Sequence, residues 1–385
     1  MKRIIHQERE GWKEKAASVG FDFHEMYGKP YWDESSYYQF TLRQIEDDIE
    51  DPSSELHHMC MQAVNHIVQS DALMLKMGIP AHALQYVKDS FLRGEPHLYG
   101  RFDLVYDGKG PAKMLEYNAD TPTSLFESVS FQYEWLQDNI KSGAIYSNAD
   151  QFNSAYEGLV KLFGRLFKKG ENIHFASFMN SEDYATVETL AYAAKEAGMV
   201  AWFTEIEKIG VTDQNQFADD RNRVIGNLFK LYPWEDIFQD DFFQYIEGSR
   251  CKFIEPAWKS LVSNKGILPV LWKLFPGHKN LLPAFFEDEY DGSLTSYVKK
   301  PIFSREGSSI TIVKDGKVLQ KSENMDYAHH TMIVQEYCEL PDFDGNKPII
   351  GAWIVGDECR GMGIREDEDR ITQNLSRFKP HIIMN

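Results

Sequence analysis

Arg101, Asp103, Glu116 and Asn118 fall in two short runs, RFDLVYD and KMLEYN, separated by the turn-forming stretch from Asp107 to Gly110. Side chains alternate faces along a strand. Arg101 and Asp103 therefore share one face of the first run, as Glu116 and Asn118 share one face of the second. With the turn centred between Lys109 and Gly110, Asp103 falls opposite Glu116 and Arg101 opposite Asn118, a register that a bulge would break. Two carboxylates and an amide oxygen form a hard-oxygen site suited to Mg²⁺, which leaves its remaining positions to water and substrate phosphates. Arg101 beside them would stabilise charge on a transferring phosphoryl group. The plain alternative is a cross-strand ion pair, Arg101 with Asp103 or Glu116 on a wet sheet face, which is common on exposed sheets.

A second group lies nearer the end of the chain. Lys300 precedes Pro301 at a strand end, and Ser304-Arg305-Glu306-Gly307-Ser308-Ser309 follows as a loop of small residues. Its backbone N–H groups could approach phosphates closely. Neither the P-loop pattern nor the kinase glycine pattern is present, so a plain β-turn explains the loop equally well. Gln335, Glu336 and Tyr337 end an apolar strand, where acceptors could meet an adenine amino group.

The elements that must position these residues are of mixed type. Residues 41 to about 94 read as helical: Thr41 and Gln44 have the form of a capping box, and Leu56, Cys60, Val64, Ile67 and Val68 recur at helical spacing. His57 and Cys60 share a helical face, but two lone ligands do not make a tetrahedral metal site. Residues 171 to 206 read as a βαβ unit with Ser181 capping the helix and Gly198 ending it. It lacks G-x-G-x-x-G, which disfavours a dehydrogenase. From about 258 a helical stretch leads to the strand YVKKPIF, the glycine loop, the strand SITIV and the turn KDGK. TMIVQEY and IIGAWIVG read as further strands. The segment from Gly361 onward reads as polar, with the acidic run Glu366 to Asp369 as a solvated loop. The chain divides on this pattern into 1–98, mainly helical; 99–170, the hairpin and following helices; 171–255, the βαβ unit; and 256–385, the nucleotide-side region.

Composition limits the function classes. The chain has 385 residues, 43% hydrophobic and 14% aromatic, too apolar for intrinsic disorder. A net charge of −18 repels a phosphate backbone over most of the surface, which argues against general nucleic-acid binding. No run of roughly 18 apolar residues is free of charge, and Glu8, Glu10 and Glu14 break any leader-like core, so neither a membrane span nor a secretory signal is expected. Four scattered cysteines without a CxxC pair fit a reducing, cytoplasmic compartment.

The segments RFDLVYDGKGPAKMLEYNADTPTS, LFKLYPWE, EPAWKSLVSNKGILPVLW, KKPIFSREGSS, MIVQEY and GIREDEDRITQNLSRF together resemble the glutathionylspermidine synthetase family, in order and over nearly the whole chain. The resemblance implies an α+β ATP-grasp fold and an acid–amine ligase that activates a carboxylate as an acyl phosphate before an amine attacks. It implies Mg²⁺ on Asp103, Glu116 and Asn118, with Arg101 as the transition-state stabiliser. It implies ATP contacts from Arg101, Phe102, Asp103, Lys265, Lys300, Glu306, Gly307, Gln335, Glu336, Tyr337, Cys338, Arg365 and Arg370. The implied partners are a small acid such as glutathione or another peptide and an amine such as a polyamine. The metal trio precedes the nucleotide lysines, opposite to most ATP-grasp chains, which implies a permuted fold. Family-like segments begin within the first hundred residues, so the amidase domain of the bifunctional members is not expected ahead of them. Asp120 and Glu127 lie near the hairpin in sequence, without an assigned role. A phosphotransferase and a nucleotide-responsive binding protein would use the same nucleotide site.

Overall fold

The hairpin forms where the sequence pattern puts it, as Tyr99–Val105 paired antiparallel with Lys113–Asn118. In this computed structural model, which describes every residue except Glu306, 372–375 and Asn385, it makes one side of a five-stranded antiparallel sheet. The strand order is Arg377–Lys379, Glu358–Asp367, Lys347–Val355, Tyr99–Val105, Lys113–Asn118. Asp103 lies opposite Glu116 and Arg101 opposite Asn118, as expected, although two departures cancel to give that result. Near the turn, Leu104 pairs with Met114, one residue tighter than a turn centred after Lys109 would give. Leu115 is then the extra residue of a bulge, and it restores the register at the carboxylates.

The segment from Gly361 onward corrects the sequence reading. Its first residues belong to the long strand Glu358–Asp367, where Glu366 is buried rather than solvated, while Glu368 and Asp369 beyond the strand are exposed as expected. Alternation explains the difference. Arg365 faces one side of the sheet, and Glu366 the other, where Arg3, Lys379, Arg377 and the Tyr38 hydroxyl meet its carboxylate. Arg3 and Tyr38 come from a small sheet that joins the two ends of the chain, in the order Lys2–Ile5, Ser36–Phe40, His381–Ile383, while Arg377 and Lys379 come from the adjacent edge strand Arg377–Lys379. Residues 1–98 therefore supply strands as well as the expected helices.

Thr41 and Gln44 do form a capping box, opening a helical stretch that continues as Asp51–Ile67. That helix buries Leu56, Cys60, Val64 and Ile67 against the back of the hairpin sheet, in one core with Phe102, Leu104 and Tyr117. Burying each such side chain stabilises the fold by roughly 1.5–3 kcal/mol.

A second five-stranded antiparallel sheet has the order Ala284–Phe286, Met332–Glu336, Tyr297–Pro301, Thr311–Lys314, Lys317–Lys321. Its last two strands are joined through Asp315 and Gly316, both at positive φ, as the KDGK turn requires. The βαβ unit forms one half of a four-stranded parallel sheet, with Asn172–Ser177 between Asn227–Lys230 and the edge strand Val200–Glu205. Its helix Ser181–Glu196 is capped by Asn180 rather than Ser181: the Asn180 side chain accepts from the Asp183 N–H. A short polar side chain one residue earlier reaches the free N–H groups of the first turn, which is the usual N-cap geometry.

Candidate active site

The front face of the hairpin sheet, the second sheet and the mouth of the parallel sheet enclose a cleft of about 680 Å³. Arg101 and Asp103 project into it from the first hairpin strand and are almost fully buried. Arg101 Nε donates to Asp103 Oδ1 at 3.0 Å, and its Nη1 donates to the Thr123 carbonyl at 2.8 Å. The strand behind has Gly351 opposite Asp103, and a Cβ there would stand 2.8 Å from Arg101 Cδ. Only a glycine leaves the arginine its place. Arg365, from the long strand, donates to the other oxygen of Asp103 at 2.6 Å.

Glu116 faces two lysines from the opposite side of the cleft. Lys265 Nζ lies 3.1 Å from its carboxylate and also donates to the Ser304 carbonyl at 3.1 Å. Lys300 Nζ donates at 2.8 Å to the carbonyl of Leu115, the bulged residue. Burial alone would raise the pKa of Glu116, but Lys265 and Lys300 hold it well below the usual carboxylate range. Burial pulls Lys300 down to about 8, against the attraction of Glu116. Asn118 Nδ2 lies 3.1 Å from Glu116 Oε1 and 3.5 Å from Asp103 Oδ2, so the three side chains converge on one small volume. With its amide turned, Asn118 offers an oxygen beside two carboxylates. That donor set fits Mg²⁺.

Most of the other expected residues border the same cleft: Gly307, Gln335, Glu336, Tyr337, Cys338 and Arg370. Gln335 is buried and donates to the Met114 carbonyl at 3.1 Å. Arg370 sits at the rim, 3.6 Å from Glu339. Phe102 is the exception. Strand alternation turns its ring to the back of the sheet, where it stacks on Tyr117 at 3.8 Å between centroids, so no side-chain contact with a nucleotide in this cleft is available to it. Glu306 lies outside the described residues.

Sequence reasoning missed one wall of the cleft. Glu182 and Asp183, in the first turn of the βαβ helix, line it together with Glu235 and Tyr31. Thr123 donates to Glu182, and Arg305 pairs with Glu235 at 3.0 Å. The only signal in the sequence was the acidic start of a helix, which helix capping alone accounts for. Glu127 is buried behind Tyr31, whose hydroxyl donates to it at 2.6 Å, and burial pushes its pKa up to about 7. Asp120, by contrast, is locked against Lys230 at 2.6 Å and accepts from the Trp234 N–H.

The family model described as glutathionylspermidine synthase preATP-grasp matches residues 3–384. The chain belongs to that family. A Haemophilus influenzae protein named "Putative acid--amine ligase" is 38% identical over 381 residues, covering 94% of each chain. The bifunctional glutathionylspermidine synthetase/amidase of Escherichia coli is 26% identical, covering 90% of this chain but only 60% of its own length. Among solved structures, a glutathione synthetase-like effector of Globodera pallida covers 98% of both chains with a TM-score of 0.56 at 13% identity. The likeness is one of fold, and the fold is of the ATP-grasp type. Family members are carbon–nitrogen ligases. Among the described residues no helix is long and apolar enough to cross a membrane.

Proposed function

We propose that the protein joins a small acid to an amine at the expense of ATP, through an acyl phosphate, with release of ADP and phosphate. The observation that carries this reading is a surplus of positive charge: Arg101, Lys265, Lys300 and Arg365 converge on only two carboxylates, Asp103 and Glu116. Such a group is incomplete without a multiply charged anion, and a nucleotide triphosphate with its cation supplies one. Asp103, Glu116 and Asn118 would hold Mg²⁺, which neutralises phosphate charge when bound. Arg101, fixed by Asp103 and Thr123, would meet the charge that develops as the phosphoryl group passes to the carboxylate. Gly307, Gln335 to Cys338 and Arg370 would border the nucleotide.

A neighbouring wall of the cleft adds acidic groups. Glu182 and Asp183 suit a cationic amine such as a polyamine, while Glu235 is paired with Arg305. The amine must lose a proton before it attacks. Glu127, reached through the Tyr31 hydroxyl and with a pKa of about 7, is suited to receive it. The Escherichia coli relative carries glutathionylspermidine in its name, which supports glutathione and spermidine as the first substrates to try. Four unpaired cysteines favour a reducing compartment such as the cytoplasm.

The test is release of ADP by the purified chain with Mg-ATP across a matrix of acids and amines, with mass spectrometry of the products. The expected result is release that requires one acid and one amine together, and a new mass equal to their sum less water. A stable phosphorylated product would show a phosphotransferase, and ATP binding without stimulated release in any mixture would show a binding protein.

A further inference from the structure

On the back of the hairpin sheet, away from the cleft, three side chains that are distant in sequence meet. His57 comes from the helix Asp51–Ile67, His97 from the loop entering the hairpin, and Asp357 from the turn between Lys347–Val355 and Glu358–Asp367. His57 Nε2 and His97 Nε2 both approach Asp357 Oδ1, at 3.2 and 3.3 Å, and all three ligand atoms lie within 4.8 Å of one another. The imidazoles are stacked, with centroids 5.3 Å apart and planes at 29°, so their Nε2 edges point the same way.

We propose that His57, His97 and Asp357 form a site for a divalent transition metal, best suited to Zn²⁺, separate from the Mg²⁺ site of the cleft. Zn²⁺ bonds of about 2.0–2.2 Å at tetrahedral angles put neighbouring ligand atoms ~3.3 Å apart, the separation seen on both His–Asp edges. Two imidazole nitrogens and one carboxylate oxygen are borderline ligands that favour Zn²⁺ over Mg²⁺ or Ca²⁺. His57 is fully buried and His97 nearly so, while the Asp357 side chain is 66% exposed, leaving the fourth position to water.

The second nitrogen of His57 is also provided for. Its Nδ1 lies 2.9 Å from the Tyr117 hydroxyl, which can accept a hydrogen bond from Nδ1–H and so leave the Nε2 lone pair free as a ligand. Tyr117 stands between Glu116 and Asn118, on the opposite face of the same strand. The metal would therefore brace the strand that carries two of the proposed Mg²⁺ ligands.

The test uses the full chain, stripped with a chelator and held in excess MgCl₂ so that hard-oxygen sites are filled. Titration with Zn²⁺ by calorimetry is expected to give one site per chain, and Co²⁺ is expected to give the visible absorption of a four-coordinate ion. His97→Ala and Asp357→Ala should each weaken Zn²⁺ binding at least about tenfold. Asp103→Asn should leave it unchanged. Asp357 is exposed and on a turn, so Asp357→Ala removes a ligand while the fold is kept. Absence of stoichiometric Zn²⁺ binding, equal affinity in wild type and both variants, or loss of Zn²⁺ binding in Asp103→Asn would overturn the proposal.

Discussion

Arg365 and Glu366 are neighbours on one strand, yet they belong to charge clusters of opposite character. Behind the sheet, Glu366, Asp33 and Glu368 are matched by Arg3, Arg377 and Lys379, with the Tyr38 hydroxyl adding a further donor. In front, Arg365 joins Arg101, Lys265 and Lys300 around Asp103 and Glu116, beside an open cleft. The first cluster is complete within the chain. The second carries more positive charge than its acids balance, and it faces space that a ligand can enter. Buried charge alone therefore does not mark a functional site; an excess of one sign beside a cavity does.

This contrast can be broken by substitution, and the largest effect is expected in the front cluster. Asp103→Asn should abolish Mg-dependent turnover with the fold retained, because an amide still accepts from Arg101; turnover at the wild-type level would remove Asp103 from the metal site. Arg101→Ala should lower turnover on the order of 10²–10³ with a smaller loss of ATP affinity. An equal loss in both would make Arg101 a ground-state binding residue. In the back cluster the expected loss is of stability. Glu366→Gln leaves Arg3 and Lys379 without their shared carboxylate and should destabilise folding by about 3 kcal/mol, read from denaturant unfolding. ATP affinity of the folded protein should be unchanged, and a loss of affinity would show that the two clusters are not independent.

The smallest effect concerns pH. Lys300 has its pKa lowered by burial to about 8, so its charge is present below that pH and lost above it. ATP affinity, measured on the metal-free protein, should be flat from pH 6 to about 8 and then fall by up to roughly tenfold per unit. Lys300→Arg should remove the fall. A wild-type profile flat to pH 10 would mean that Lys300 does not contact the nucleotide.

The front of the hairpin was legible because it depends on two local rules, strand alternation and a short turn. Its register came out as expected through a tighter turn and a bulge at Leu115 that offset one another, and neither shows in residue types. Phe102 follows Arg101 in the motif, but alternation puts every second side chain on the other face, where its ring stacks on Tyr117. The acidic run at Glu366 could not be read as buried, because its partners Arg3 and Tyr38 lie more than three hundred residues away and meet it only through the pairing of the chain ends. The acidic wall of the cleft was invisible for a similar reason. Glu182 and Asp183 have a sufficient local explanation at a helix start, and only the packing of three sheets makes them walls of the same cavity as Lys300.

The central claim is that this cleft phosphorylates a carboxylate. With the acid that stimulates ADP release labelled with heavy oxygen in its carboxylate, the amide-forming reaction should deliver one labelled oxygen to inorganic phosphate, as attack of the carboxylate on ATP requires. Phosphate free of label, with all of the label retained in the acid or lost to water, would contradict the account.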